Sequence, residues 1–415
     1  MTDGRQARRR DGRPAEWKVA LAGVATIGVG FGFARYGYGL FLPEIRAEFG
    51  LSVAEVGLVG SATYLGYLAA LVLVGLLAGT VGPRLPVVAA GASAAVGMGA
   101  VAVADHPAVA VAGLVLAGTS SGWAWAPYSD AVQLLAPEER RAGLLALLPT
   151  GTAFGTAVAG VLALAARGGD WRHAWLAFAA VAVVVTLYNA RLIPGTPVRP
   201  ADGGRSARSG PRAFLRPEAA PLLTTALSYG LIGSVYWTFA VEAVTASGSG
   251  VDAAPLFWTL MGVAGVGGLA SGRLFDRLGL RRSHTVLFAA LAAAVGLLAA
   301  VPGPLPAAVP AALSAVLYGP AFMAVSGLLA VASLRLFPER PAAGFSGVVF
   351  FLGVGTVVGP AALGAVADAY GLRAAFLATA GIALLTLPMR GARRPAPSGP
   401  AEAAGERAGA VCGRS

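Results

Sequence analysis

Apolar residues run along this chain in long unbroken stretches, and polar residues gather between them. Residues 86–104, 174–190 and 286–334 contain no Asp, Glu, Lys or Arg. Each is long enough for one or more helical passages of about 20 residues through a hydrocarbon layer about 30 Å thick. No water pairs the backbone in such a layer, so a passage must be a helix or a strand of a closed barrel, and the lengths predict helices. Twelve apolar spans are expected, near 17–42, 53–79, 86–104, 108–134, 143–166, 173–193, 220–246, 253–274, 284–302, 306–334, 343–367 and 374–389. The fold class that follows is an all-α integral membrane protein.

The pattern is written twice. Arg172-His173-Ala174-Trp175-Leu176-Ala177 becomes Arg373-Ala374-Ala375-Phe376-Leu377-Ala378 at an offset of 201. Pro137-Glu138 through Gly143 returns as Pro338-Glu339 through Gly344 at the same offset, and Gly118 maps onto Gly319. Each match falls at the same place relative to its span, which predicts two six-helix bundles, residues 17–193 and 220–389. Repeats of this kind mark secondary transporters, whose substrate sites lie between the halves near the membrane midplane. Between the bundles, 194–219 is rich in Pro, Gly and Arg and reads as a flexible linker; 1–16 and 390–415 read as tails.

Charge gives the orientation. Only 12% of residues are charged and the mean hydropathy is +0.71, yet the net charge is +11, a value that would suggest nucleic acid if the charges formed one basic domain. They do not. Of 31 Lys and Arg, four (Arg46, Arg167, Arg172, Arg373) fall on one side of the expected spans and Arg35 lies inside one; the other 26 fall on the opposite side. That asymmetry predicts cytoplasmic N- and C-termini, and the lipid bilayer rather than nucleic acid as the surrounding partner. The single cysteine, Cys412, excludes an intramolecular disulfide and any multi-Cys metal site. A basic stretch, Arg8-Arg9-Arg10, precedes the first span as in a signal peptide, but a span of about 25 residues without a cleavage site predicts a retained helix.

After the eighth span stands Gly272-Arg273-Leu274-Phe275-Asp276-Arg277-Leu278-Gly279-Leu280-Arg281-Arg282, and its cognate in the first half is Gly75-Leu76-Leu77-Ala78-Gly79-Thr80-Val81-Gly82-Pro83-Arg84. Here Gly272 is expected to let helices approach closely and Gly279 to permit a left-handed turn. Arg281 and Arg282 are expected to hold the loop at the cytoplasmic face, and Asp276 to pair locally or meet a helix N-terminus. The segment resembles the G-x-x-x-D-R-x-G-x-[RK] loop of the major facilitator superfamily (MFS). Phe33-Ala34-Arg35-Tyr36-Gly37-Tyr38 and Tyr64-Leu65-Gly66-Tyr67-Leu68 resemble its YbfB/YjiJ-type bacterial branch. The resemblance covers 17–389 and implies twelve helices in two bundles around a central cavity lined by the first, fourth, seventh and tenth spans. It also implies alternating access and residence in a bacterial inner membrane. Gly75, Gly82, Arg84, Gly272, Asp276, Arg277, Gly279 and Arg281 would then form gating loops. The first copy departs from the pattern, with Gly79 at the acidic position.

An ionisable side chain deep in a span is a functional candidate by default. Arg35 lies about 18 residues into the first span; by the resemblance it would face substrate, where a guanidinium suits a carboxylate bidentately. The alternative is a structural pair with a carboxylate or with carbonyls. On the fourth span Thr119, Trp123, Pro127 and Asp130 share a face, whereas Trp125 lies about 200° from Trp123. Asp130 falls near the cytoplasmic end, as a coupling residue or a loop-gate partner. On the seventh span Ser234, Thr238 and Glu242 form a polar stripe beside Tyr236 and Trp237; Glu242 is a coupling candidate or a solvated interfacial carboxylate. Tyr38, Tyr64, Tyr67 and Tyr318 are further cavity candidates, or packing aromatics. Pro127 and Pro149 mark possible bends.

Other motifs reduce to packing. Gly28-Val29-Gly30-Phe31-Gly32 follows no strand and is broken by Phe33 as a dinucleotide fingerprint; with Gly355-x-x-x-Gly359-Pro360 it reads as close helix contact. The latter is similar to an element of the fifth span of drug/proton antiporters, but those carry an arginine where this chain has Leu114. His106, His173 and His284 are scattered over two sides of the membrane with no HExxH or nucleophile elbow, so neither an enzyme nor a metal or cofactor site is expected. The expected function is secondary active transport of a small organic solute, an anion by Arg35, coupled to protons in a monomer. The alternatives are a proton-driven exporter of amphipathic compounds and a solute sensor with a transporter fold.

Overall fold

A computed structural model describes residues 13–77, 80–166, 170–196, 217–246, 252–301, 306–338 and 341–389. Gly79, Glu339, the basic stretch at 8–10, most of the expected linker and the tail beyond 389 lie outside them. Every regular element among the described residues is helical, and each of the twelve expected spans holds helix. Nine described helices are long and apolar enough to cross a membrane; one of these, Ala253–Ala299, contains both the eighth and ninth spans. The seventh (Ala220–Thr245) and the twelfth (Leu372–Thr386) are helices outside that set. Leu58, Leu65, Val184, Leu377 and Leu384 are exposed on outer helix faces, an apolar surface of the kind that calls for lipid rather than water.

Four spans depart from simple helices. The first runs as α-helix over Arg13–Ile27, then as π-helix over Gly28–Arg35, then as short helices Gly37–Leu40 and Leu42–Phe49. The π register is seen where Tyr36 N donates to Phe31 O, five residues back, at 3.0 Å. The fifth span begins earlier than its apolar stretch, as Glu138–Leu147, and restarts at Thr150 after Pro149. The eighth and ninth meet at Gly279, whose φ of 70° and ψ of 161° belong to a region open almost exclusively to glycine.

The duplication is visible in the packing. A Cβ on Gly118 of the fourth span would meet Thr63 O of the second at 2.7 Å, and one on Gly319 of the tenth would meet Gly265 N of the eighth at 2.8 Å. Equivalent glycines therefore seat equivalent helix pairs. The halves join along two seams. The second span packs on the eleventh, where Gly57 and Gly364 lie Cβ-to-Cα within about 3.2 Å and Ala361 N donates to Ser61 Oγ at 3.0 Å. The fifth packs on the eighth, with Gly262 against Ala157 and Gly160 against Thr259. As expected from sequence, glycines mediate close contacts in the first and eleventh spans, and those of the fifth do the same. Gly28 and Gly32 lie against Gly155, while Gly355 and Gly359 lie against Leu227 and Leu231.

Candidate functional site

Between the seams lies a cavity of about 660 Å³. The first, fourth, seventh and tenth spans line it, as the resemblance implies, and so do the second and eleventh, through residues such as Tyr64, Tyr67, Leu71, Val349 and Thr356. It reaches Gly75, Leu77, Val81 and Pro83, at the turn between the second and third spans. That is the end on which the charge asymmetry of the sequence places most Lys and Arg.

The opposite end is shut by three layers. Tyr36 of the first span stacks on Trp237 of the seventh, ring centroids 4.0 Å apart and planes at 11°. Beyond it Gly39 packs directly under the carbonyl of Trp237, with Trp258 alongside; any Cβ there would collide with backbone. Outermost, Arg46 Nη1 and Glu242 Oε1 form an ion pair between the halves, while Arg46 Nε donates to Leu51 O at 3.1 Å. At the same end Arg172 grips Glu48 through both guanidinium nitrogens, at 2.6 and 2.7 Å, and donates to Ala104 O at 2.6 Å, tying the first, third and sixth spans together. That hydrogen bonding, with Trp171 Nε1 donating to Glu48 at 2.8 Å, holds the Glu48 carboxyl below its ordinary pKa.

Arg35 ends the π-helical segment and lines the cavity. Such a segment turns its side chains out of α register and recurs at functional sites. It is 6% exposed, and its Nε has no hydrogen-bond partner. Its guanidinium carbon instead lies 4.0 Å from the centroid of the Tyr67 ring, 4.9 Å from Tyr64, 5.4 Å from Phe31 and 5.6 Å from Tyr36. Neither a carboxylate nor a carbonyl pairs with it among the described residues, so the structural pairing that the sequence left open is absent there. Cation–π contacts are worth about 0.5–2 kcal/mol, whereas removing a charge from water costs several. The cage compensates the guanidinium in part, and an anion would complete it.

Among the other residues singled out from sequence, Tyr64, Trp237 and Asp130 line the cavity. Tyr38 does not: it is buried in the core, and its hydroxyl donates to Val56 O at 3.0 Å. Tyr236 and Tyr318 form a second layer behind the wall, stacked at 3.5 Å. Their hydroxyls are bound to Ser314 Oγ at 2.7 Å and to Gly233 O at 3.4 Å. Trp123 packs against the core around Val87, Tyr128 and Val132 and does not line the cavity, whereas Trp125, which touches the same core, also faces the cavity with Ser121, Pro127 and Asp130. The fourth span is thus turned from the expected Thr119–Trp123 face. Glu242 belongs to the outer ion pair, neither in the cavity nor solvated: the residue is 8% exposed. The seventh-span stripe runs from cavity (Ser234) through the seam (Thr238, against Gly60) to that ion pair.

The two loop copies do different things. Gly279 supplies the positive φ, while Asp276, Arg277 and Arg281 are exposed. Gly272 serves no close approach, since a Cβ there would meet nothing within 4 Å. In the first half Gly75 lines the cavity mouth, Arg84 is exposed, and Gly82 has no positive φ. Gly82 is instead pressed against the backbone of Gly195–Thr196 after the sixth span. The sequence reading missed Phe31, Tyr36, Trp125, Tyr229 and Phe322 as cavity residues and Arg46 as the partner of Glu242. Tyr36 beside Arg35 was the available signal; no local pattern pairs Arg46 with a residue 196 positions away.

A two-bundle, duplicated helical fold around a cavity sealed at one end defines a membrane transporter of the MFS type. The profile of the family described as "Uncharacterised MFS-type transporter YbfB" matches residues 27–389, and the chain belongs to that family. Among solved structures it resembles the nucleoside transporter NupG, with TM-score 0.72, 14% identity, and 90% of this chain and 98% of that chain covered. It also resembles a bacterial homologue of the human lysosomal transporter Spinster in an inward-facing and unoccupied conformation, with TM-score 0.71, 15% identity, and coverage of 91% and 96%. At these identities the likeness concerns the fold. No curated protein matches the chain in sequence.

Proposed function

We propose that this protein is a secondary active transporter that moves a small organic anion across the bacterial inner membrane by alternating access, coupled to protons. The observation that carries the reading is Arg35: a buried guanidinium with an unpartnered Nε in a cavity closed at one end and open at the other. Buried charges are paired, so an anion arriving from the open end is the partner this site lacks. Sealing the cavity around it would bring the second and eleventh spans together near Gly75 and Phe345. Separation of Tyr36 from Trp237 and Arg46 from Glu242 would open the other end. Asp130 is the carboxylate on the described cavity wall and serves as the proton-exchanging group. The Spinster homologue captured inward-facing supports an inward-facing reading of this cavity.

The test is purified protein in liposomes under an imposed pH gradient, offered a panel of labelled organic acids. Accumulation that collapses with a protonophore is expected. Binding of an acid with no flux under any gradient would replace the transporter by a sensor. Pumping of uncharged amphipathic compounds in preference to acids would favour the exporter reading, which the aromatic lining supports.

A further inference from the structure

We infer that the cavity selects a monoanionic amphipathic solute, one carboxylate on a flat apolar body, and rejects dianions of the same size. The inference takes the cavity as the substrate site of the transporter proposed above.

The charge inventory comes first. Arg35 and Asp130 are the Asp, Glu, Lys or Arg residues on the described wall, one cation and one anion. The four rings around Arg35 leave its Nε without a hydrogen-bond partner. That N–H and the one positive charge behind it suit one carboxylate.

A second anionic group finds no second cation among the described lining residues. The cavity has hydroxyls, but four of them already spend their proton on their own helix. Ser121 donates to Gly118 O at 3.2 Å, Ser234 to Leu231 O at 3.1 Å, Ser326 to Met323 O at 2.7 Å and Thr356 to Gly353 O at 2.7 Å. A hydroxyl has one proton to give, so these present lone pairs to the cavity, which repel an anion. Asp130, five residues from the end of its helix (Pro107–Leu135), adds a carboxylate of the same sign. A dicarboxylate or a phosphate monoester would be desolvated with one charge uncompensated.

The remaining surface fits an apolar body. Trp237 and Phe322 meet edge to face at 5.5 Å, and Tyr229 lies 4.8 Å from Phe322. These rings form the part of the wall contributed by the second half, where no described side chain is charged. At about 660 Å³ the cavity has the size of sites for drug-sized organic molecules, roughly 300–1,000 Å³.

Three probes of one shape test this: naphthylacetate, its neutral amide naphthylacetamide, and naphthalene dicarboxylate. Binding to the purified full-length protein is followed by calorimetry, and uptake by flux into liposomes. Naphthylacetate is expected to bind about tenfold or more tighter than the other two, an energy within reach of one charge-assisted bond. Arg35→Gln should erase the preference for the acid over the amide while the amide still binds, which also shows that the variant is folded. Asp130→Asn should narrow the gap to the dicarboxylate. Equal affinity for acid and amide, preference for the dicarboxylate, or binding of none of the three would overturn the inference. Proton-driven flux of the amide would do so while leaving the transporter intact. The expected ranking without flux of any probe under any gradient would instead sink the transport reading and leave the ligand class standing.

Discussion

The two walls of the cavity descend from one repeated unit, yet they have diverged in chemistry. The first-half wall carries both charges, Arg35 and Asp130, and its first span is distorted into a π-helix against Gly155. The second-half wall carries rings and hydroxyls, and its seventh span is an unbroken helix, Ala220–Thr245. At the offset of 201 Arg35 falls on Tyr236, which lies behind the wall, and the seventh span brings Trp237 to the cavity with no charge. Symmetry between the halves supplies the two seams; asymmetry gives the cavity one wall with charges and one without.

The largest expected effect breaks the distorted wall itself. Gly32→Val would drive a side chain into Gly155 Cα and Thr156 N, both 2.7 Å from its Cβ. Backbone cannot yield as a flexible side chain does, so a loss of about 3 kcal/mol or more is expected. Its measure is the collapse of monodisperse protein in detergent. A β-branched residue at Gly296, where a Cβ meets open space, should be tolerated.

Next, Phe322→Ala removes a ring from the apolar wall. It should weaken naphthylacetate and naphthylacetamide alike, by about tenfold, since burial of apolar surface does not distinguish them. Arg35→Gln should act on the acid alone. If Phe322→Ala changed the acid-to-amide ratio, the division of labour between the walls would be wrong.

A smaller effect is expected where the walls meet at the closed end. Glu242→Gln removes an ion pair that is one-third exposed on the arginine side, worth about 1 kcal/mol after solvent screening. That energy is about fivefold in population. In a Cys412→Ser background, Ser234→Cys should react a few-fold faster with an impermeant thiol reagent added on the Arg46 side. An unchanged rate would remove the ion pair from the gate.

The smallest effect concerns pH. Glu48 has a folded pKa below its unfolded value. Its contribution to stability is full above the unfolded value of about 4.3 and fades as pH falls through the folded one. Thermal melts below pH 5 should therefore lose less stability in Glu48→Gln than in the parent, because the variant has no such proton to take up.

Much of the fold was legible before any coordinates. Uncharged stretches of span length, the offset of 201 and the Gly279 loop are local or periodic signals, and each reappears as a helix, a paired contact or a positive φ. Arg35 was legible as well, because a charge inside an apolar run is conspicuous wherever it sits. The rest of the site was harder to see. Tyr38, Trp123, Tyr236 and Tyr318 had the right residue types on the right spans but face cores or seams, because helix rotation about its own axis is set by packing partners far along the chain. Trp125 against Trp123 shows the sensitivity: about 200° of rotation decides which indole faces the cavity.

The sequence by itself determined the membrane class, the duplication and the one charge deep in the first span. These follow from solvation of single residues and from periodicity, which need no neighbours to be read. Only the tertiary structure decided what surrounds that charge. The π-helical turn, the four-ring cage, the hydroxyls turned back on their own helices and the Arg46–Glu242 closure all depend on side chains distant in sequence, whose meeting is fixed by how glycine-lined helices pack.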